Sequence, residues 1–428
     1  MSAATVAVTP PAVGGEKRAL DGAWLLSLST ALSGVFAYGF HVLAARSLGT
    51  ADYGRIAVLW AAMFLLVVVL FRPLEQTTSR AVADRLVRGD RARGVLRSVL
   101  ALYLGIVAVF TGVVAVAWSP ITEKIFLGDD LLTAALVVGV AGYGLAYVLR
   151  GLLSGSGWFE GYGLLLLADS GIRLLAAAPL VAVASSDIAA IAVAVAGIGG
   201  AVVPALVGRK RLRALVEPPD GSRFRVRGAL GFAAPATVIA AADQVLVNGG
   251  PILVVLGGGS AETAGIVFAA TMLVRVPVYL FQGLAASLLP NLTRLSAGDD
   301  VLFRRGVVRT AAVLFGLGVG AIAGAAMVGP AALGILYGDE FSAGRLELTL
   351  LGVGVAFYLV AATVSQALLA LAAVRSAAAA WSASALVFLF TYFAVQGDEL
   401  LRISAALALA TALGAIALAL VLTFRLRT

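Results

Sequence analysis

The stretch RIAVLWAAMFLLVVVLFRPLEQTTSRAVADRLVRGDRARG (55–94) holds both parts of the argument for the fold. Its first part, through Leu74, is an almost unbroken apolar run, and a helix needs ~20 such residues to cross ~30 Å of hydrocarbon. Its second part, 75–94, carries Arg80, Arg85, Arg88, Arg91 and Arg93. Cytoplasmic loops of membrane proteins hold the excess of Lys and Arg. The stretch therefore reads as a membrane helix that ends in the cytoplasm.

Working outward, the same alternation recurs along the chain. Membrane helices are expected at 23–45, 55–74, 95–118, 131–152, 161–184, 187–208, 228–256, 262–289, 306–328, 344–372, 376–396 and 402–424. The termini and the even-numbered gaps between them are basic. The longest are 75–94 and 209–227, the latter with Arg209, Lys210, Arg211, Arg213, Arg223, Arg225 and Arg227. The odd-numbered gaps are short and acidic: Glu123, Asp129 and Asp130; Asp187; Glu262; Asp339 and Glu340; Asp398 and Glu399. This places both termini in the cytoplasm of a multi-pass cell-membrane protein.

Composition agrees. The 428 residues are 61% hydrophobic, with mean hydropathy +1.02, against roughly 45–50% apolar in soluble domains. The net charge of +8 is spread over loops that face anionic headgroups, so it signals orientation and no nucleic-acid partner. The absence of Cys excludes disulfides and thiolate chemistry. The preponderance of Arg over Lys suits a GC-rich, bacterial genome. Residues 1–22 lack the charged start and apolar core of a cleaved signal and read as a cytoplasmic tail.

The resulting expectation is an all-α integral membrane protein: about 12 transmembrane helices in two six-helix lobes, 23–208 and 228–428, joined by a cytoplasmic linker, 209–227. LGTADYGRIAVLWAAMFLLVVVLF begins at 48 and GGSAETAGIVFAATMLVRVPVYLF at 258. Gly54 and Gly265 open similar apolar runs that end in Leu70-Phe71 and Leu280-Phe281. Six is an even number, so both lobes start from the same face and are parallel repeats. Lobes so related enclose a central cavity near the midplane and expose it to each side in turn.

Charges inside the bilayer are costly and mark pathways by default. Asp169 and Arg173 stand at i, i+4 and can neutralise each other, a structural pair. Arg72 closes the second helix beside Glu75. It either snorkels to the headgroups or presents a planar fork to phosphate. Arg275 and Asp243 have no charged neighbour within a turn. They either pair with each other, or Arg275 grips a phosphate while Asp243 carries a proton or cation. Gln244, Asn248 and Gln282 offer hydrogen bonds suited to sugar hydroxyls or to neighbouring helices. His41, the one histidine, is read as a packing residue. The sequon Asn291-Leu292-Thr293 falls at a cytoplasmic helix end and is discounted. Gly- and Ala-rich runs such as AVAVAGIGGAVV permit close helix packing, and Trp24, Trp118 and Trp158 read as interfacial anchors.

AARSLGTADYGRIAVL (44–59) resembles the start of polysaccharide-exporting flippases in the multidrug/oligosaccharidyl-lipid/polysaccharide exporter superfamily. RGLLSGSGWFEGYGLLLLADSGIRLL (150–175) and the region from Asp243 to Pro290 are similar to the same family. The resemblance implies a two-lobed bundle that moves a lipid-linked sugar between leaflets. Its partners would be a polyprenyl-pyrophosphate-linked glycan, membrane lipids and proteins of glycan biosynthesis. Many members have fourteen helices; twelve leaves an accessory lipid-binding pair absent. The N-terminal helix also lacks the basic cluster of lipid II flippases.

No GxxxxGK[ST], no HExxH and no Cys/His metal spacing occurs, and no outer loop is long enough to fold. A transporter is therefore expected rather than an enzyme, with no cofactor, driven by a gradient or by membrane voltage. The substrate-binding candidates are Arg72, Arg275, Asp243, Gln282 and Asn248. A drug or organic-cation antiporter of the same superfamily is the alternative. Its cavity should be acidic and aromatic, and an Arg in each half disfavours it. An integral-membrane glycan enzyme is the third possibility, and it lacks an acidic pair or a large outer loop.

Overall fold

The computed structural model describes residues 13–216, 226–276, 278 and 300–426. Among these all regular secondary structure is helical. In lipid every backbone N–H and C=O must be satisfied within its own segment, and the helix does that. The elements are α1 (Val13–Val87), α2 (Arg93–Val116), α3 (Trp118–Lys124), α4 (Asp130–Gly155) and α5 (Phe159–Ala176). They continue with α6 (Ser186–Val207), α7 (Arg209–Val216), α8 (Val226–Leu256) and α9 (Ala261–Val274). The last four are α10 (Asp300–Tyr337), α11 (Arg345–Ala370), α12 (Val374–Ala394) and α13 (Glu399–Arg425).

Ten of these helices are long and apolar enough to cross a membrane. The first, α1, contains two spans. Its backbone breaks at Gly49 (φ 73°, ψ 179°), a left-handed conformation that glycine adopts without a Cβ penalty. The expected loop at 46–54 is thus a kink rather than a gap. The short apolar α9 runs into residues outside the described set. With these two the bundle has about twelve spans, as expected.

Two departures from the expected boundaries share one cause. Hydropathy marks where a helix leaves hydrocarbon, not where it ends. The second span continues to Val87 because the emerging turns still find a partner: Thr77, Thr78, Ala81 and Val82 are buried. A Cβ at Gly151 of α4 would meet the Glu75 carbonyl oxygen at 2.7 Å, so the two backbones touch there. The basic stretch after 208 likewise begins as a helix, α7. Trp158 is buried beneath the Arg211 guanidinium, 5.1 Å from its ring, and is a packing residue rather than an interfacial anchor.

The helices pack in two groups. The two spans of α1 pack with α4, α5 and α6, while α10, α11, α12 and α13 pack among themselves and with α8. The groups meet where α1 lies against α8 and α9. Three helices that start on the acidic face are capped there by its polar side chains. Asp129 accepts from the Leu131 and Leu132 amides, Ser260 from Thr263 and Asp398 from Leu401. Such caps satisfy orphan donors and favour the helix dipole, so the acidic loops have a local use beyond orientation.

The acidic face is sealed. Gly54 of α1 and Gly265 of α9 cross in direct backbone contact. A Cβ on Gly265 would lie 2.5 Å from the Thr50 carbonyl oxygen, and one on Gly54 would strike the Ala261 carbonyl. Residues at matching places in two parallel repeats meet at the axis that relates them. Around this crossing Tyr53 packs on Phe268, Tyr337 and Phe341, with ring centroids 5.6–6.3 Å apart. Tyr38 donates to the Met272 carbonyl at 3.2 Å, and Arg46 donates to the Leu336 carbonyl at 3.0 Å and to that of Ile335.

Candidate functional site

Below the seal the two groups part around a cavity of about 570 Å³ on the basic side of the bundle. One wall comes from both spans of α1 (Ser27, Thr30, Arg72, Gln76) and from Tyr162 of α5. The other comes from Asp243 of α8, from Tyr358, Ser365 and Gln366 of α11, and from Trp381 of α12. The lining runs from the basic-side ends of these helices to the middle of α8 and α11, so the chamber is framed by side chains from both halves. A second cleft of about 370 Å³ shares Arg72 and Gln76 with it and adds Glu75, Ser79 and Arg80. Arg72, Gln76 and Arg80 recur every four residues and so share one face of α1.

Arg72 is solvent-exposed although it belongs to a membrane span. It faces the chamber, within electrostatic reach of Glu75 and Asp243. Glu75 accepts a 2.8 Å hydrogen bond from Tyr162. Arg72 therefore stands over space that water or an anion can enter, which is how the bundle tolerates its charge.

Asp243 anchors the facing wall. Tyr358 donates to its Oδ1 at 2.6 Å and Gln244 to its Oδ2 at 3.1 Å. Asn248, one turn on, donates to Gln244 Oε1 at 2.7 Å. Asn248 is thus a buried relay to Gln244 and is not part of the chamber wall. Arg275 is buried close enough to Asp243 and Tyr358 to act on both electrostatically, behind the wall. Gln282 and the sequon at 291–293 lie outside the described residues. Of the five candidates, then, Arg72 and Asp243 line the chamber, while Arg275 and Asn248 support its wall.

Asp169 and Arg173 make the expected pair at 2.7 Å. Tyr143 donates to Asp169 at 2.6 Å and accepts from Arg173. The guanidinium stacks on Trp60, 4.5 Å from its ring centroid. This cluster is sealed inside the first half, apart from the chamber. His41 is likewise buried, among Phe40, Trp60 and Phe268, with its Nδ1 3.3 Å from the Tyr53 hydroxyl.

Tyr162, Gln76, Tyr358, Gln366 and Trp381 belong to the chamber, and sequence reasoning missed them. Gln76 and Arg80 could have been found by extending the second span past Leu74, because they continue the row of Arg72. The others are uncharged residues on apolar helices, and no local pattern separates them from packing groups.

No family model matches the chain. An uncharacterised protein of Mycobacterium bovis is 28% identical over 364 residues, 82% of this chain and 79% of its own length. One of Mycobacterium tuberculosis is 28% identical over 385 residues, 88% of this chain and 83% of its own. Among solved structures, an inward-facing multidrug resistance MATE family transporter of the MOP superfamily superposes with a TM-score of 0.74. It is 14% identical and covers 94% of this chain and 98% of its own. An outward-facing MATE structure gives 0.68 at 15% identity and 95% coverage of both chains. The chain has the MATE transporter fold.

Proposed function

We propose that the chain is a flippase, moving a polyprenyl-pyrophosphate-linked oligosaccharide or polysaccharide precursor across the cytoplasmic membrane by alternating access. The observation that carries this reading is Arg72, exposed in a chamber between the two halves whose walls carry, besides Asp243, neutral hydrogen-bonding groups. A guanidinium binds a diphosphate bidentately. Gln76, Gln366, Ser27, Thr30 and Ser365 suit sugar hydroxyls. The basic face is assigned to the cytoplasm, where such precursors are assembled, by the distribution of Arg and Lys. Both termini then lie in the cytoplasm, with 23–208 and 228–428 as the rocking lobes and 209–227 as their link. Arg275 and Asn248 hold Asp243 in place, and enzymes of glycan assembly would supply the cargo.

The test is translocation of a fluorescent undecaprenyl-pyrophosphate saccharide in proteoliposomes. Removing a hydrogen bond to a charged group costs about 1.5–3 kcal/mol. Arg72→Gln is therefore expected to slow flipping by roughly tenfold or more at subsaturating lipid, with folding unchanged. Flipping by Arg72→Gln at the unaltered rate would overturn the assignment.

Asp243 favours a second reading, a drug or organic-cation antiporter. A carboxylate beside Tyr358 and Trp381, whose rings stand 5.9 Å apart edge to face, suits a cationic ligand. Ethidium efflux that is lost in Asp243→Asn and retained in Arg72→Gln would select it.

A further inference from the structure

We propose that the first half of the bundle also carries a site for an anionic phospholipid, on its membrane-facing side and separate from the central chamber. Here α2 and α6 flank α4 and leave an apolar groove of about 360 Å³. Leu96 and Leu100 of α2, Leu149 of α4, and Val202 and Ala205 of α6 form its walls. Each of these residues lies near the basic-side end of its helix. The mouth is formed by Arg209 and Arg213 of α7. At i, i+4 these two share one face of their helix.

The short helix α7 is held in place. The Ala92 amide donates to the Leu215 carbonyl at 2.9 Å, and Arg91 donates to the Ala214 carbonyl at 3.0 Å. Arg211 lies over the Trp158 ring. Leu212 turns inward and lines the groove, while Arg209 and Arg213 are exposed. Neither makes an ion pair among the described residues. Two free guanidiniums are thereby fixed at headgroup depth, directly above a slot shaped for an acyl chain.

That combination selects the ligand. An apolar groove alone takes any lipid tail, and a basic helix alone takes any phosphate. Joined, they fit a molecule with a tail and a phosphate in the same relation. A zwitterionic headgroup brings its own ammonium against Arg209, Lys210, Arg211 and Arg213. An anionic headgroup does not, and basic pockets between membrane helices on the cytoplasmic side hold such lipids. The site does not depend on what passes through the chamber. Its occupant would tie the end of the sixth span and the helix that follows it to the membrane surface.

Native mass spectrometry of the full-length protein in detergent provides the test, with phosphatidylglycerol, phosphatidylcholine or inorganic phosphate added. Phosphatidylglycerol is expected to be retained in preference to phosphatidylcholine, with no adduct from phosphate. Arg209→Gln/Arg213→Gln should weaken its retention by about tenfold, given the attraction of each basic residue to an anionic lipid. Val202→Trp, which fills the groove from its exposed edge, should weaken it as well. Arg304→Gln/Arg305→Gln, which removes the same charge elsewhere on the basic face, should not. Equal retention of both lipids would overturn the site. So would full retention by the Arg209/Arg213 variant or the Val202 variant, or equal loss in the Arg304/Arg305 variant.

Discussion

Arg173 is among the largest fully buried side chains in the protein, 1% exposed, and its charge is met from three directions. Asp169 neutralises it, Tyr143 bridges the two, and Trp60 offers a ring face. Breaking a buried ion pair by removing one partner strands the other and costs about 3–5 kcal/mol, whereas replacing both with apolar groups of similar volume is often neutral. Asp169→Ala is therefore expected to lower the thermal midpoint in detergent strongly, and Asp169→Leu/Arg173→Met to restore most of it. If the double variant is as unstable as the single, the cluster does more than balance its own charge. The pair itself was legible, because i, i+4 spacing brings two residues of one helix together whatever surrounds them. Tyr143 and Trp60 were not, since they arrive from other helices and spacing along a chain carries no information across it. The chamber divides in the same way. Arg72 and Asp243 stood out as charges in apolar runs, while Tyr358 and Trp381 were indistinguishable from packing aromatics.

At the scale of the helix, the second span and α9 decide which face is closed. Their crossing depends on two glycines, Gly54 and Gly265, at which any Cβ meets backbone from the other helix. Gly265→Leu is expected to fold, because α9 also packs on α8, α10, α11 and α13 away from the crossing, but to prevent the acidic face from sealing. Gly316→Leu in α10, where an added Cβ meets nothing within 4 Å, should behave as the unaltered protein. The readout is labelling of a cysteine placed at Phe341, which is buried in the seal. It should react with an impermeant maleimide in the Gly265 variant and be protected in the Gly316 variant. Protection in both would mean that the aromatic cluster, not the glycine crossing, holds the halves together. The repeat in the sequence pointed to these glycines as equivalents. It could not show that they touch, which follows only once the halves are arranged about a common axis.

Under the proposed function the whole molecule is in one state of a cycle, and its asymmetry predicts the other. The seal joins the halves through rings from both: Tyr53 from one, and Phe268, Tyr337 and Phe341 from the other. Among the described residues the basic side is joined less, since the chamber separates Arg72 and Gln76 from Gln366 and Trp381. For cargo to be released on the acidic face, the seal must part and the walls of the chamber must meet. Moving such an equilibrium from 1:99 to 99:1 takes about 5.5 kcal/mol of differential binding, so cargo or a coupling ion must grip the two states unequally. The chain has no Cys, so single cysteines report cleanly without background. Gln366→Cys is expected to react with a maleimide supplied on the basic face and Phe341→Cys to be protected from the acidic face. Under transport conditions the two should change in opposite senses and to matching extents, because one rocking motion closes the first as it opens the second. Simultaneous labelling of both sites from their own faces would describe a channel, and the two-lobed cycle would then be wrong.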